Sequence, residues 1–420
     1  MLTQAKTSPP VLAPVKWQQV FVLSLPRSGS TLLRLILDTH PDICCPGELS
    51  LGQLCDDLYR ALYYSIAQAS TDNEAARVAI TLAKTREAVG GFMGSYAAVK
   101  EKRIWAEKTP TNIDYADILS KTFPDAAFIC LHRNLLDLIR SGWEMTRYGK
   151  MGFGKRKYEL WDYQNFLELC ERQTRALLDF ERGHSDRAIR LHYEPLVQNP
   201  AQELSRLFAF LELPWDPSLI EAVFSTEHDD GIGDPKAGFA RGFYTTSVGR
   251  GTSAEVLADL ASAPKYLQNK LSELLRELGY PDIESARVAA ERKGEVAESN
   301  AAERSAVEPI AQVSNINDLF THQFLPKLND SPRKASDLKG AVKFVVRGKG
   351  GGTWTINLNK QPPAVQPEDR DADCTITIKA DDLLKLATGE LNVGECYLQA
   401  RLRVAGNEAL ALSLGRTLFA

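Results

Sequence analysis

The stretch VFVLSLPRSGSTLLRLILDTHP, residues 20–41, decides the fold of the first half of this chain. Its first six residues, 20–25, are apolar apart from one serine, which predicts a strand covered on both faces of a parallel sheet. Pro26 then turns the chain, and from about Ser30 the apolar positions follow the helical period. A buried strand that runs through a glycine-containing turn into a helix predicts an anion-binding α/β unit.

The turn between this strand and this helix carries six candidate anion-binding residues: Arg27, Ser28, Gly29, Ser30, Thr31 and Leu32. Gly29 allows the backbone to approach a ligand closely, and Arg27 supplies a fixed positive charge. The free amides at a helix start stabilise an anion. The ATPase motif G-x-x-x-x-G-K-[ST] is missing here, which disfavours a magnesium-dependent kinase or ATPase. The plain alternative is a tight turn with a helix-capping serine.

Strands and helices alternate beyond this unit. Two further apolar runs, AFICLH at 127–132 and AIRLHY at 188–193, predict buried parallel strands. Helical periods occupy about 30–39, 134–148, 161–183 and 201–212. This alternation predicts an α/β fold with a P-loop-like, doubly wound parallel sheet.

A second anion-binding element is expected at the end of the 127–132 strand. Arg133 follows the strand directly, and Ser141 lies eight residues further on, about two helical turns along. Both side chains can reach a common point above the sheet edge, where a second phosphate would suit them. An arginine that caps a helix end is the alternative.

The chain of 420 residues is too long for one ordinary core, and we predict two domains. Residues 1–17 are predicted to be a disordered lead, 18–284 the first domain, 285–312 a linker and 313–420 the second domain. In the second domain, four sets of alternate apolar positions predict strands with one buried face: Val342, Phe344 and Val346; Trp354, Ile356 and Leu358; Cys374, Ile376 and Ile378; and Leu398, Ala400, Leu402 and Val404. The expected fold of that domain is α+β with a mainly antiparallel sheet.

The net charge, the cysteine content and the lengths of the apolar runs narrow the classes of function open to this chain. A net charge of −4 gives no overall attraction to nucleic acid. Seven scattered cysteines without a C-x-x-C motif indicate neither a disulfide framework nor a metal site, and fit a reducing cytoplasm. The longest apolar run near the start is far shorter than a spanning helix needs. No transmembrane segment and no metal are therefore expected.

The motifs together resemble those of PAPS-dependent sulfotransferases, in the branch of the tyrosylprotein sulfotransferases. PAPS is 3′-phosphoadenosine 5′-phosphosulfate, and PAP is its desulfated product. The resemblance covers about residues 18–280 and is carried, in order, by PRSGSTLL, AEKTPTN (106–112), Arg133 with Ser141, IRLHYEPLVQNP (189–200), LELPWDP (211–217) and TTSVGRG (245–251). One departure is Leu135, where the family often has proline.

The resemblance implies the parts of a nucleotide site. Residues 27–32 would bind the 5′-phosphosulfate, Arg133 and Ser141 the 3′-phosphate, and Tyr193 would lie near the adenine. Four residues of the TTSVGRG segment would close over the nucleotide: Ser247, Gly249, Arg250 and Gly251.

Sulfuryl transfer needs a base for the acceptor proton and a cation at the leaving oxygen. Glu48 is our candidate base and Lys108 our candidate cation, with Arg27 sharing that role; the resemblance agrees with both choices. A solvated loop carboxylate and a surface lysine are the alternatives. Because the cytosolic branch uses histidine, the rival bases are His40, His132 and His192.

The second domain is similar to sterol-carrier-protein-type lipid-binding domains over about residues 313–420, where an apolar tunnel and a solid core would give the same pattern. We expect a PAPS-dependent sulfotransferase with a small-molecule acceptor, for which an apolar, lipid-like molecule is one option. The second hypothesis is a lipid carrier whose first domain binds PAP or PAPS without catalysis.

Overall fold

A computed structural model describes residues 15–148, 163–229, 242–243, 245, 247–292, 316–330, 339–360, 363–368, 370–388, 391, 396, 401–407, 410–411, 414–415 and 418. The chain divides into two compact units, one with each sheet. The second unit also takes in 144–159 and 234–241, and the last boundary falls between Val288 and Ala289, inside a helix that covers 283–292. Most of the predicted lead and of the predicted linker lies outside the described residues.

The first unit is built on five parallel strands in the order β2-β3-β1-β4-β5. They are β1 Gln19–Ser24, β2 Ile43–Cys44, β3 Ile104–Lys108, β4 Ala127–His132 and β5 Ala188–His192. This sheet confirms the predicted α/β class. Two strands, β2 and β3, were not predicted.

The helices described between residues 30 and 292 connect and follow these strands in the chain. They are α1 Ser30–Thr39, α2 Leu51–Leu62, α3 Gln68–Ser70, α4 Glu74–Val99, α5 Ala116–Thr122, α6 Leu135–Tyr148, α7 Tyr163–Gly183, α8 Tyr193–Gln198, α9 Pro200–Phe210, α10 Leu219–Ala222, α11 Ala254–Ala261, α12 Lys265–Glu277 and α13 at 283–292. A π-helical turn, Tyr63–Ala67, joins α2 to α3, and 3₁₀ turns cover Pro110–Tyr115 and Arg250–Thr252.

The centre of the sheet is strand β1, which has neighbours on both sides. Val20, Phe21, Val22 and Leu23 are fully buried, as expected for a strand covered on two faces. The Phe21 ring packs against Phe128 of β4 at 5.6 Å between centroids. Strands β3 and β4 lie on opposite sides of β1, so successive strands are added in opposite directions from β1. In folds of this type, ligands bind in the crevice at the carboxyl ends of the strands where this reversal occurs.

The second unit contains a sheet in the order β10-β9-β6-β7-β8. Its strands are β6 Ala341–Arg347, β7 Gly352–Asn357, β8 Ala364–Gln366, β9 Cys374–Lys379 and β10 Leu402–Gly406. All pairs are antiparallel except β6 with β9, which confirms a mainly antiparallel sheet. The unit also contains α14 Ile316–Asp318, a π-helical turn Leu319–Phe324, α15 Leu325–Asp330 and α16 Ala380–Ala387.

The apolar positions that predicted this unit lie in its core. Phe320 stacks on Trp354 of β7 at 4.7 Å between ring centroids and packs against Phe344 of β6. Of the last predicted strand, Leu398 and Ala400 lie outside the described residues. None of the described helices of either unit combines the length and the apolar composition that crossing a membrane requires.

Candidate nucleotide and catalytic site

The candidate site residues follow the carboxyl ends of the five parallel strands. The turn 25–30 follows β1, Glu48 follows β2, Lys108 ends β3, Arg133 follows β4, and Tyr193 follows β5. Parallel strands bring these ends to one edge of the sheet. The topology therefore collects on one side residues that are far apart in the sequence.

The turn after β1 contains two left-handed residues. Arg27 has a φ of 70° and Gly29 a φ of 89°. Helix α1 begins immediately afterwards, with Leu33 N donating to Gly29 O at 3.2 Å. Ser28 is buried, and its Oγ has no hydrogen-bond partner among the described residues. Since an unpaired buried hydroxyl is costly, this atom suits a ligand that enters the turn.

The close approach of Tyr193 to the turn explains why residue 29 is glycine. A β-carbon at this position would lie 2.3 Å from Cδ2 of Tyr193. The ring of Tyr193 thus packs on the turn backbone itself, which places the start of α8 in direct contact with the β1–α1 turn.

Gly29→Ala is expected to destabilise the protein by about 1–2 kcal/mol from the left-handed backbone alone, and to weaken binding of PAP because the Tyr193 ring must move. Thermal unfolding and calorimetric titration with PAP would measure the two effects. The control is Gly91→Ala, since Gly91 lies in α4 with open space around it. Equal stability and equal PAP affinity of Gly29→Ala and the control would show that the turn tolerates a side chain.

Arg133 lies over the same region and is 8% exposed. Its two terminal nitrogens donate to Arg27 O and to Ser247 O, each at 2.8 Å. Its guanidinium lies 4.5 Å from the centre of the Tyr193 ring. Its Nε is buried and has no partner within the described part of the chain. A buried cation with an unsatisfied donor suits an anionic ligand.

Ser141 joins the two predicted phosphate sites. The Nε of Arg27 donates to Ser141 Oγ at 3.2 Å, although the residues are 114 positions apart. The Tyr193 hydroxyl and Ser247 Oγ are 2.9 Å apart. The structure therefore brings Arg27, Arg133, Ser141, Tyr193 and Ser247 into one cluster.

The segment that contains Gly249 and Gly251 is attached to the start of α6. Both amides donate to the carboxylate of buried Asp137, at 2.7 Å and 2.5 Å. A β-carbon at Gly251 would lie 2.0 Å from the carbonyl carbon of Leu136, so only glycine fits. Arg250 is exposed between them. Sequence reasoning missed Asp137, because a bond over more than 100 positions leaves no periodic signal.

A second acid that sequence reasoning missed is Glu194. Its carboxylate accepts from Asn134 N at 2.9 Å and from the Tyr280 hydroxyl at 2.6 Å. Asn134 directly follows Arg133, so the hydrogen bond from Asn134 N to Glu194 fixes the backbone next to Arg133. Burial and the adjacent carboxylate of Glu194 raise the pKa of Tyr280, which keeps its hydroxyl a donor.

The two candidate catalytic residues form an ion pair. The Nζ of Lys108, a fully buried side chain, donates to Glu48 Oε1, and the Glu48 side chain is 19% exposed. The pair joins the loop after β2 to the end of β3. A carboxylate and an ammonium held together at a sheet edge can serve an acid–base step next to a developing negative charge.

The three rival histidines are engaged elsewhere. His132 lies 2.5 Å from Glu181 Oε1, His40 lies 3.0 Å from Pro214 O, and His192 lies 2.9 Å from the Tyr280 hydroxyl. Burial lowers the pKa of His192 to about 4 and lowers that of His40. In the described ranges, no group of three or more His, Cys, Asp or Glu residues could hold a metal ion.

Family comparisons agree with this architecture. Residues 19–217 match the Sulfotransferase family, and residues 317–419 match the SCP-2 sterol transfer family. The parallel sheet and the turn after its central strand define the first unit as a P-loop-like α/β domain. The chain carries a sulfotransferase-family domain followed by a sterol-carrier-type domain.

Individual relatives match one domain each. A putative protein-tyrosine sulfotransferase of Caenorhabditis briggsae is 28% identical over 48% of this chain and 68% of its own length. An uncharacterized protein of Aquifex aeolicus is 27% identical over 48% of this chain. The aligned part makes up 26% of the length of that relative. Sterol carrier protein 2 of Rattus norvegicus is 39% identical over 18% of this chain and 14% of that relative.

Solved structures are similar at low identity. A sulfotransferase domain from the curacin biosynthetic pathway is 22% identical, with a TM-score of 0.41, over 62% of this chain and 97% of that one. Mouse sulfotransferase SULT7A1, solved with PAP, is 15% identical, with a TM-score of 0.36. The match covers 67% of this chain and 89% of the mouse chain.

Proposed function

We propose that the first unit is a PAPS-dependent sulfotransferase that acts on a hydroxyl or amine of a small molecule. The observation that carries this proposal is the contact of Arg27 with Ser141, at 3.2 Å, beside two buried atoms that lack a partner among the described residues, Ser28 Oγ and Arg133 Nε. Two such polar atoms in one cationic cluster are expected where a nucleotide with two anionic groups binds.

Two groups of residues would hold the nucleotide. Residues 27–32 would bind the 5′-phosphosulfate, since the amides at the start of α1 and the Arg27 guanidinium favour an anion. Arg133 and Ser141 would bind the 3′-phosphate, and Tyr193 would contact the adenine. The backbone of 247–251, which Asp137 and Arg133 hold, would cover the nucleotide.

When bound, PAPS supplies the sulfuryl group, which bonds to the acceptor oxygen or nitrogen as its bond to the phosphate oxygen breaks and PAP leaves with the electron pair. Glu48 would receive the acceptor proton, because its carboxylate is partly exposed and is held by Lys108 at the edge of the sheet. Lys108 and Arg27 would neutralise negative charge on the leaving oxygen. No metal is part of this proposal.

The second unit would bind an apolar ligand, as the match to the SCP-2 sterol transfer family suggests. That match also favours a second candidate function, a lipid carrier whose first unit binds PAP without catalysis. The bounds 18–284 and 313–420 remain our proposed limits of the two domains.

The proposed function is tested by incubating the full chain with PAPS and a panel of acceptors. The panel holds simple phenols, a tyrosine-containing peptide, aliphatic alcohols, amines and hydroxylated lipids, and mass spectrometry detects the gain of one sulfuryl group. We expect transfer to at least one class. Binding of PAP without transfer to any class would contradict catalysis and support the carrier.

A further inference from the structure

Glu107 occupies the position before Lys108 on β3, and its side chain is wholly buried. We propose that Glu107 is a positioning residue that sets the geometry of the Glu48–Lys108 pair by holding the backbone next to Glu48. This inference rests on the proposed sulfotransferase function for its effect on rate, and on hydrogen bonding alone for its effect on structure.

Three donors converge on the Glu107 carboxylate. Leu49 N donates to Oε1 at 3.2 Å, and the Thr109 hydroxyl donates to the same oxygen at 2.5 Å. The side-chain amide of Asn112 donates to Oε2. Because all three partners are donors, the ionised carboxylate, which only accepts, matches them. Burial raises the pKa of Glu107, and these three hydrogen bonds oppose that shift.

Glu107, Thr109 and Asn112 together hold a longer stretch of the loop that contains Glu48. Ser50 N donates to Thr109 Oγ1, and Gly52 N donates to Asn112 Oδ1, each at 3.0 Å. The side chains of 107, 109 and 112 thus bind the amides of 49, 50 and 52. Ser50 has a φ of 54°, a left-handed conformation that a serine adopts at some cost and that these bonds stabilise.

These contacts connect the two catalytic candidates through their neighbours. Leu49 adjoins Glu48, and Glu107 adjoins Lys108, so the bond from Leu49 N to Glu107 ties the two backbones together. On the other side of Glu48, buried Arg34 donates to Pro46 O at 2.9 Å. The loop is therefore held on both sides of the base.

The hydrogen-bond directions allow a sharp test. Glu107→Gln keeps the size of the side chain, but its amide nitrogen would face the donating amide of Asn112. If Asn112 turns to accept, Gly52 N loses its acceptor. The double variant Glu107→Gln/Asn112→Asp reverses this bond and restores every pair, because one aspartate oxygen accepts from the new glutamine amide and the other accepts from Gly52 N.

Two measurements on the full chain test the inference. Hydrogen exchange at the amides of 49–52 is expected to be on the order of tenfold faster in Glu107→Gln and to return towards the wild-type rate in the double variant. With an acceptor found in the panel, kcat is expected to fall about 10–100-fold, while the Kd for PAP stays within about twofold, because misplacement of a catalytic group affects turnover.

The control is Glu87→Gln, whose exposed side chain on α4 pairs only with Lys84 in the described contacts. Unchanged exchange at 49–52 in Glu107→Gln would overturn the inference, whether or not the wild type transfers a sulfuryl group. A wild type that transfers nothing would overturn the proposed function instead, and the exchange result would still decide the role of Glu107. A fall in kcat in Glu107→Gln that the double variant does not restore would also contradict the positioning role of Glu107.

Discussion

Glu48→Gln is expected to lower kcat by about 10²–10⁴-fold, the usual contribution of a positioned base. Glutamine has the same shape and can still accept a hydrogen bond from Lys108, but it cannot take the acceptor proton. The candidate base lies outside the predicted phosphate cluster, so the Kd for PAP is expected to change little.

Steady-state kinetics with the best acceptor of the panel and a calorimetric titration with PAP measure this prediction. Glu212→Gln is the matched control, because Glu212 is an exposed carboxylate that also pairs with a lysine, Lys16. We expect the control to keep the wild-type kcat. Equal kcat for wild type and Glu48→Gln would remove the glutamate from the mechanism and leave the histidines as the candidate bases.

Arg133→Ala is expected to weaken PAP binding by about 10²–10³-fold, in line with the loss of a buried, hydrogen-bonded charge partner. The variant removes the charge assigned to the 3′-phosphate and also the bonds to Arg27 O and Ser247 O that hold the cluster together. Arg133→Lys keeps the charge without the fork of donors, and an intermediate affinity is expected.

Calorimetry with PAP and with AMP separates the two contributions. AMP lacks the 3′-phosphate, so its binding reports only on the general state of the cluster and is expected to lose less than PAP does. Arg60→Ala is the control, since Arg60 is exposed on α2 and pairs with Asp56. PAP affinity of Arg133→Ala within about twofold of wild type, in a variant that unfolds at the wild-type temperature, would contradict the assignment.

The sequence predicted the parallel α/β fold because β1, β4 and β5 are short apolar runs, each followed by a helical period. Strands β2 and β3 were not predicted, because neither is an apolar run of the usual strand length. Strand β2 has two residues, and β3 ends in the charged pair Glu107 and Lys108, which is unusual for a fully buried strand. Lys108 pairs with Glu48, 60 positions earlier in the chain, and the Glu107 carboxylate accepts hydrogen bonds from Leu49 N, Thr109 and Asn112.

In the second unit, alternation of apolar residues located β6, β7 and β9. It favoured antiparallel pairing, which holds for three of the four strand pairs, but it could not identify β6 and β9 as the parallel pair. Strand β8 was missed because its three residues are all partly exposed. Alternation reports burial of one face and carries no information about strand order.

For the candidate site, the sequence predicted the residues that stand in compact motifs, such as Arg27 and Arg133. It did not predict Asp137 and Glu194 or the positioning contacts of Glu107. Each of these carboxylates binds backbone amides at least 58 positions away. Such bonds depend on the tertiary fold, and a short motif cannot encode the partner.

The central claim is that the cluster around Arg27 and Arg133 binds a nucleotide with phosphates at both ends. Calorimetric titration of the full wild-type chain with PAP, compared with AMP under the same conditions, tests it most directly. We predict one PAP site per chain and AMP binding that is about 10–100-fold weaker, as expected for the loss of hydrogen bonds to a charged group. Equal affinities for PAP and AMP, or no PAP binding at all, would contradict the account.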